Sequence, residues 1–225
     1  MAEKPLTEAR LKTPSAAAIA GLIFSILLIA AFSLLRSSVP ADRQETGEWL
    51  RPSADTVALA INLIPFAGVA FLWFIGVLRD RLGPMEDRFF ATIFLGSGLL
   101  YLGTLFLAST LAGGILIAFE MKPEELIGSP AFHFARAAAY TAINVYLVKM
   151  ATVFMVTSST VFLYTGIAPR WLAFSGYALA LLVLLGSYYI SWSAFVFPTW
   201  VALVSIFIII DNFRRRPVPA EQASN

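Results

Sequence analysis

The sequence predicts an all-α bundle of six membrane-spanning helices with both termini in the cytoplasm. Three observations predict it. The first is composition: of 225 residues 59% are hydrophobic and 13% charged, with a mean hydropathy of +0.78, whereas a soluble domain carries roughly 25% charged residues. The second is spacing: apolar runs of about 20 residues, enough for a helix to cross the hydrocarbon core, recur along the chain. The third is charge placement. With six spans, the side that holds both termini carries ten Lys and Arg (Lys4, Arg10, Lys12, Arg79, Arg81, Arg88, Arg170 and Arg214 to Arg216). The other side carries five, namely Arg36, Arg43, Arg51, Lys122 and Arg136. Positive residues are retained on the cytoplasmic side. Residues 1–14 and 214–225 are then cytoplasmic tails around a single transmembrane domain, 15–213.

Span 1 covers about Ser15 to Leu35 behind a polar, basic leader. Its apolar run exceeds the roughly 7–15 residues of a signal-peptide core, which makes it an uncleaved anchor. Ala17, Gly21 and Ser25 recur every fourth residue, a small-residue row that admits a close neighbour. Arg36 to Asp55 reads as a polar loop, with Trp49 and Leu50 suited to the interface. Span 2, about Thr56 to Leu78, contains Asn62 and Pro65, and the proline predicts a kink. The turn at Gly83-Pro84 leads to span 3, Phe89 to about Phe119. This span is longer than the bilayer requires, so it tilts or projects. After the acidic loop Glu120 to Pro130 comes the fourth span, then span 5 from Trp171 to Ile190. The connection Ser191-Trp192-Ser193 makes an antiparallel hairpin with span 6, Phe195 to Ile210.

The fourth span is the stretch around which the others are expected to pack. Ala131 to Ile167 has no Pro, and no Gly before Gly166, yet it carries His133, Arg136, Tyr140, Asn144 and Lys149. On an ideal helix of 100° per residue, His133, Tyr140 and Asn144 fall within about 80° of Arg136, and Lys149 lies on another face. Two readings fit the stripe. It lines an outward-opening cavity, or its residues mark the membrane edge while Asn144 joins helices. Lys149 reads as deep in the span, where an ionisable group is costly and marks a site, a structural pin or a snorkelling side chain. The acids Asp55, Glu120 and Asp211 lie only at span edges, and Asn62 or carbonyls freed near Pro65 are further candidate partners. Lys149, Asn144, Arg136, Tyr140, His133 and Asn62 are therefore the candidate cavity or binding residues.

Several chemistries are excluded. The chain has no Cys and one His, which removes disulfides, thiolate sites and all-His metal sites. A net charge of +2 does not suggest nucleic acid. Gly96-Ser97-Gly98 lacks the glycine two residues before the serine that an intramembrane rhomboid protease motif requires, and the only His is at the mouth of a span. A microbial rhodopsin needs its lysine in the last helix with acidic counter-ions, and Lys149 has neither. No catalytic residue, cofactor or metal is predicted.

The run Thr165-Gly166-Ile167-Ala168-Pro169-Arg170-Trp171-Leu172-Ala173 resembles a TG-x-x-PRWLA turn shared by bacterial multi-span membrane proteins grouped under a domain of unknown function. With Ser158 to Thr160 and Ile64 to Gly83, the resembling segments are spread over about half the chain. It implies the bacterial inner membrane and no mechanism. The functional expectation is a membrane protein handling a small solute or lipid through an outward-facing cavity beside span 4. The alternative is a non-catalytic scaffold or partner subunit of a larger membrane complex. The expected partners are membrane lipids and either a second copy or another membrane protein.

Overall fold

The computed structural model describes residues 13–42, 45–82, 88–166, 168–187 and 192–214. Most of both predicted tails, the Gly83-Pro84 turn, Ile190 and Ser191 lie outside the described residues. Four long helices come first in order: α1 (Thr13–Ser38), α2 (Leu50–Leu82), α3 (Arg88–Met121) and, after the single turn of α4 (Pro123–Leu126), a continuous rod. The rod consists of α5 (Pro130–Thr141), a π-helical turn (Ala142–Leu147) and α6 (Val148–Thr165). Then follow α7 (Arg170–Gly186) and α8 (Ser193–Arg214). There is no strand among the described residues. Five stretches are long and apolar enough to cross a membrane: Ala18–Ser38, Leu50–Gly76, Phe89–Met121, Pro130–Thr165 and Ser193–Asp211. The described part of the fifth predicted span, α7, is apolar but has 17 residues, about 26 Å of helix.

Local chemistry sets the ends of the rod. Ser129 accepts a hydrogen bond from the Phe132 backbone N–H at 3.1 Å, and Pro130 takes the first helical position, where its missing N–H is not needed. At the other end Gly166 adopts φ 66° and donates to the Phe162 carbonyl at 3.0 Å. That left-handed stop suits a residue without Cβ.

Neighbouring helices run antiparallel, as paired contacts show. Phe24 stacks on Phe71 at 4.5 Å while Gly21 lies beside Phe74, which aligns α1 with α2. Gly21 also meets Ser205, and Phe32 meets Phe195 at 5.8 Å, which aligns α1 with α8. Phe94 meets Phe154 at 4.7 Å and Phe90 meets Tyr164 at 6.2 Å, aligning α3 with α6. The Thr160 and Tyr177 hydroxyls are 2.6 Å apart across α6 and α7. At the centre, Phe71 contacts the rings of Phe24, Tyr101, Phe154 and Phe197. Five helices therefore each contribute one ring to a single cluster. In lipid no hydrophobic force drives one helix against another, so such dispersion contacts carry the association. Aromatic pairs add about 0.5–1.5 kcal/mol each beyond their area.

A second, smaller core lies past the end of α7. Leu50 and Val57 of α2, Ile115 and Leu116 of α3, Leu126 of α4 and Phe132 of α5 form it. Gly47, at φ 107°, passes so close to the Phe132 ring that a Cβ there would meet it at 2.9 Å. This core explains a difference from the sequence expectation. Residues 50–55 belong to α2 rather than to a polar loop, because Leu50, 1% exposed, anchors the start of the helix. Past the end of α7 the rod, α2, α3 and α4 thus build a head around this core.

Close approach of α6, α7 and α8 depends on Gly176. A Cβ there would strike the Ser159 hydroxyl and come within 3.0 Å of the Trp200 indole nitrogen. Ser159 can rotate, but the fully buried indole cannot yield. Gly176→Ala is expected to destabilise by about 1–3 kcal/mol through overpacking. Gly96→Ala, with open space around its Cβ position, should leave the thermal midpoint in detergent unchanged or slightly raised. Equal midpoints for the two variants would contradict this packing.

Candidate functional site

The rod positions five of the six candidate residues, and its geometry changes their register. The π turn closes hydrogen bonds one residue wider than an α-helix, as in the Val148 N–H to the Ile143 carbonyl. Residues beyond Ala142 are therefore rotated relative to the straight 100° wheel. The structure does not gather the candidates into one site.

Arg136 belongs to the head. Its guanidinium donates to the carbonyls of Pro40 at 2.8 Å, Asp42 at 2.7 Å and Glu45 at 3.1 Å, and it lies 5.9 Å from the centre of the Trp49 ring. The planar fork holds the connection between α1 and α2 against α5 through its backbone carbonyls and the Trp49 ring. Arg51 adds ion pairs to Glu48 at 2.8 Å and Glu124 at 2.7 Å. The Gly128 N–H donates to the Thr46 carbonyl at 2.8 Å. The imidazole of His133 lies 5.5 Å from the Phe132 ring, edge to face.

Asn144 donates to the carbonyl of Tyr140 at 3.0 Å, and Asn62 donates to that of Ala58 at 3.0 Å. Both bond four residues back along their own helix. Ser158 does the same to Phe154 at 2.6 Å, as do Thr152, Thr157, Thr160 and Thr165. This pattern lets a polar side chain enter an apolar helix without a partner on a neighbour.

Lys149 does not meet Asn62 or the region of Pro65. Its ammonium donates to the Leu184 carbonyl at 2.8 Å and to the Ser187 hydroxyl at 3.3 Å. Leu184 lies in the last turn of α7, where helix carbonyls have no intrahelical donor and the dipole end is negative. Lys149 is a C-terminal cap supplied from the neighbouring helix. The α6–α7 register therefore places it level with the end of the bundle, although it lies near the middle of the rod.

The sequence reading missed other polar groups. The Tyr101, Ser159, Ser193 and Ser205 hydroxyls and the Trp200 indole N–H are buried without a hydrogen-bond partner among the described residues. A small cavity lies between α3, the π turn and the start of α8, and both Tyr101 and Ser193 line it; none of the six candidates does. A lone Tyr in the glycine-rich run of span 3 was the available signal. Among the described residues no group of three or more His, Asp or Glu is placed to hold a metal.

Comparison with protein-family models, with curated proteins and with solved structures finds no match.

If Lys149 caps α7, Lys149→Met should lower stability by about 1 kcal/mol, a loss of roughly 2–4 °C in the thermal midpoint for a chain of this size. Lys149→Arg, which keeps the cation, should recover most of it. A midpoint that rises with Met would show that the cap contributes nothing.

Proposed function

We propose that this integral membrane protein is a non-catalytic scaffold or partner subunit that docks another membrane helix along the open face of α3. The observation that carries the proposal is the coverage of that helix. Only 22% of the apolar window of α3 is buried, against 44% for α1 and α2, 61% for the rod and 50% for α8. Gly96, Gly103, Gly113 and Gly114 have open space where a Cβ would stand. They alternate with exposed Leu99, Leu100 and Leu107, and such a surface admits a second helix at short range. What weighs against passage of a solute beside the rod is that Arg136, Asn144, Lys149 and Asn62 all donate to oxygens of the protein itself.

The placement in the bilayer that supports this proposal comes from exposed aromatic residues. Tyr146 and Tyr164 are 61% and 82% exposed, and the helix between them is about 27 Å long, close to the ~30 Å of the hydrocarbon core. Tyr146 and Trp192 each adjoin a residue that lines the same cavity, Leu147 and Ser193, and Trp171 lies in the first turn of α7. Trp and Tyr favour both interfaces. The membrane then covers the rod from the π turn to Thr165, with the sixth crossing made by α7, while α5, α4 and the adjoining ends of α2 and α3 stand in water. The ten-to-five distribution of basic residues puts that head outside and both termini in the cytoplasm. The TG-x-x-PRWLA resemblance points to a bacterial inner membrane.

The absence of cysteine from the chain makes the test clean. A single cysteine at Gly103, carrying a benzophenone, should crosslink in native membranes to a species of defined mass. Twice the monomer mass identifies a second copy, and any other discrete mass identifies a different subunit. The same label at Leu185, exposed on α7, should remain monomeric. Monomer alone at both positions would mean that lipid covers α3 and that the scaffold assignment is wrong.

A further inference from the structure

Many Ser and Thr hydroxyls in this bundle donate to a carbonyl of their own helix, and Tyr101 and Ser193, which do not, share a location. Tyr101 is 1% exposed and Ser193 2%, and neither hydroxyl has a hydrogen-bond partner among the described residues. Their positions explain why. The phenol oxygen sits at the tip of a rigid ring and cannot turn back to the backbone of α3. Ser193 is the first residue of α8, so no preceding helical turn offers it a carbonyl. Buried hydroxyls are rarely left in this condition, since losing water without replacement is costly.

Both residues line the same cavity, together with Leu147 and Val148 at the end of the π turn, Met155 of α6 and Phe197 of α8. The space open to the centre of a water molecule is about 10 Å³, roughly the volume of one probe sphere and so room for one water. The Tyr101 ring is fixed 4.5 Å from Phe197, which keeps its hydroxyl from moving elsewhere. We infer that this cavity is a binding site for a single water, bridging the Tyr101 hydroxyl of α3 and the Ser193 hydroxyl of α8. Two polar partners are the minimum for a buried water. Each hydroxyl can either donate or accept, so the bridge closes with one bond to each. Carbon lines the remainder of the cavity, which disfavours an ion, and the volume excludes a larger solute. The water braces α3, the helix with the open outer face, against the far side of the bundle.

Pulsed X-ray radiolysis of the folded protein in ¹⁸O-labelled water tests this, because hydroxyl radicals formed from a bound water oxidise the side chains beside it. Met155, 1% exposed, is the reporter. The expected result is ¹⁸O incorporation at Met155 and Tyr101 several-fold above the same residues in unirradiated protein, and a several-fold drop at Met155 in either Ser193→Ala or Tyr101→Phe. In thermal unfolding each single variant should lower the midpoint, and the double variant should fall no further than the worse single. Background oxidation of Met155 in the unaltered protein would overturn the inference without recourse to any variant. So would oxidation insensitive to both substitutions, or single variants that each raise the midpoint.

Discussion

Length is the constraint on which the rest of the structure depends. The rod runs for 36 residues without a break, about 54 Å, and α2 and α3 have 33 and 34 residues. A bilayer core of ~30 Å accommodates a little more than half of such a helix. By contrast, α7 has 17 described residues, so the bundle has long and short members that cannot be flush at both ends. Flush at the Thr165 end, the long helices extend past Gly186, where α7 ends, at the other. The overhang requires its own packing, which the second core around Leu50, Ile115 and Phe132 supplies. It also leaves the end of α7 against the side of a continuing helix, which is where Lys149 donates to Leu184.

The same constraint accounts for the behaviour of the polar residues. A helix in lipid must satisfy its groups internally, and Asn62 of α2, Ser109 and Thr110 of α3 and Asn144 and Ser158 of the rod do so by bonding four residues back. The two cations of the rod that reach other segments both meet main-chain carbonyls. Arg136 takes those of an irregular connection and Lys149 that of a helix end. These are the places where backbone acceptors are left over. The ionisable groups of the rod therefore serve the joints between a long helix and its shorter neighbours, and the most open surface belongs to the nearly uncharged α3.

Much of this was legible in the chain. The uninterrupted run before Gly166 and the apolar lengths defined the rod, and the excess length read for span 3 is matched by the 34 residues of α3. The resemblance at Thr165 to Ala173 added only a turn and an expected membrane. The π turn was hidden because no residue type in Ala142–Leu147 marks it. The acceptor of Lys149 was not foreseen, because it depends on the register of the rod with α7 rather than on position along its own helix. Arg136 meets carbonyls more than 90 positions away, and a backbone acceptor leaves no trace in sequence. Tyr101 and Ser193 share a cavity only because α3 and α8 face each other across the π turn.

The most direct test of the central claim, that the membrane covers only the second half of the rod, is a cryo-electron microscopy map of the protein in a lipid nanodisc. The disc should end level with Tyr146 and Trp192 on one side and Tyr164 and Trp171 on the other, leaving Phe132, Arg136 and α4 in solvent. Disc density that reaches Pro130 and encloses the second core would contradict it.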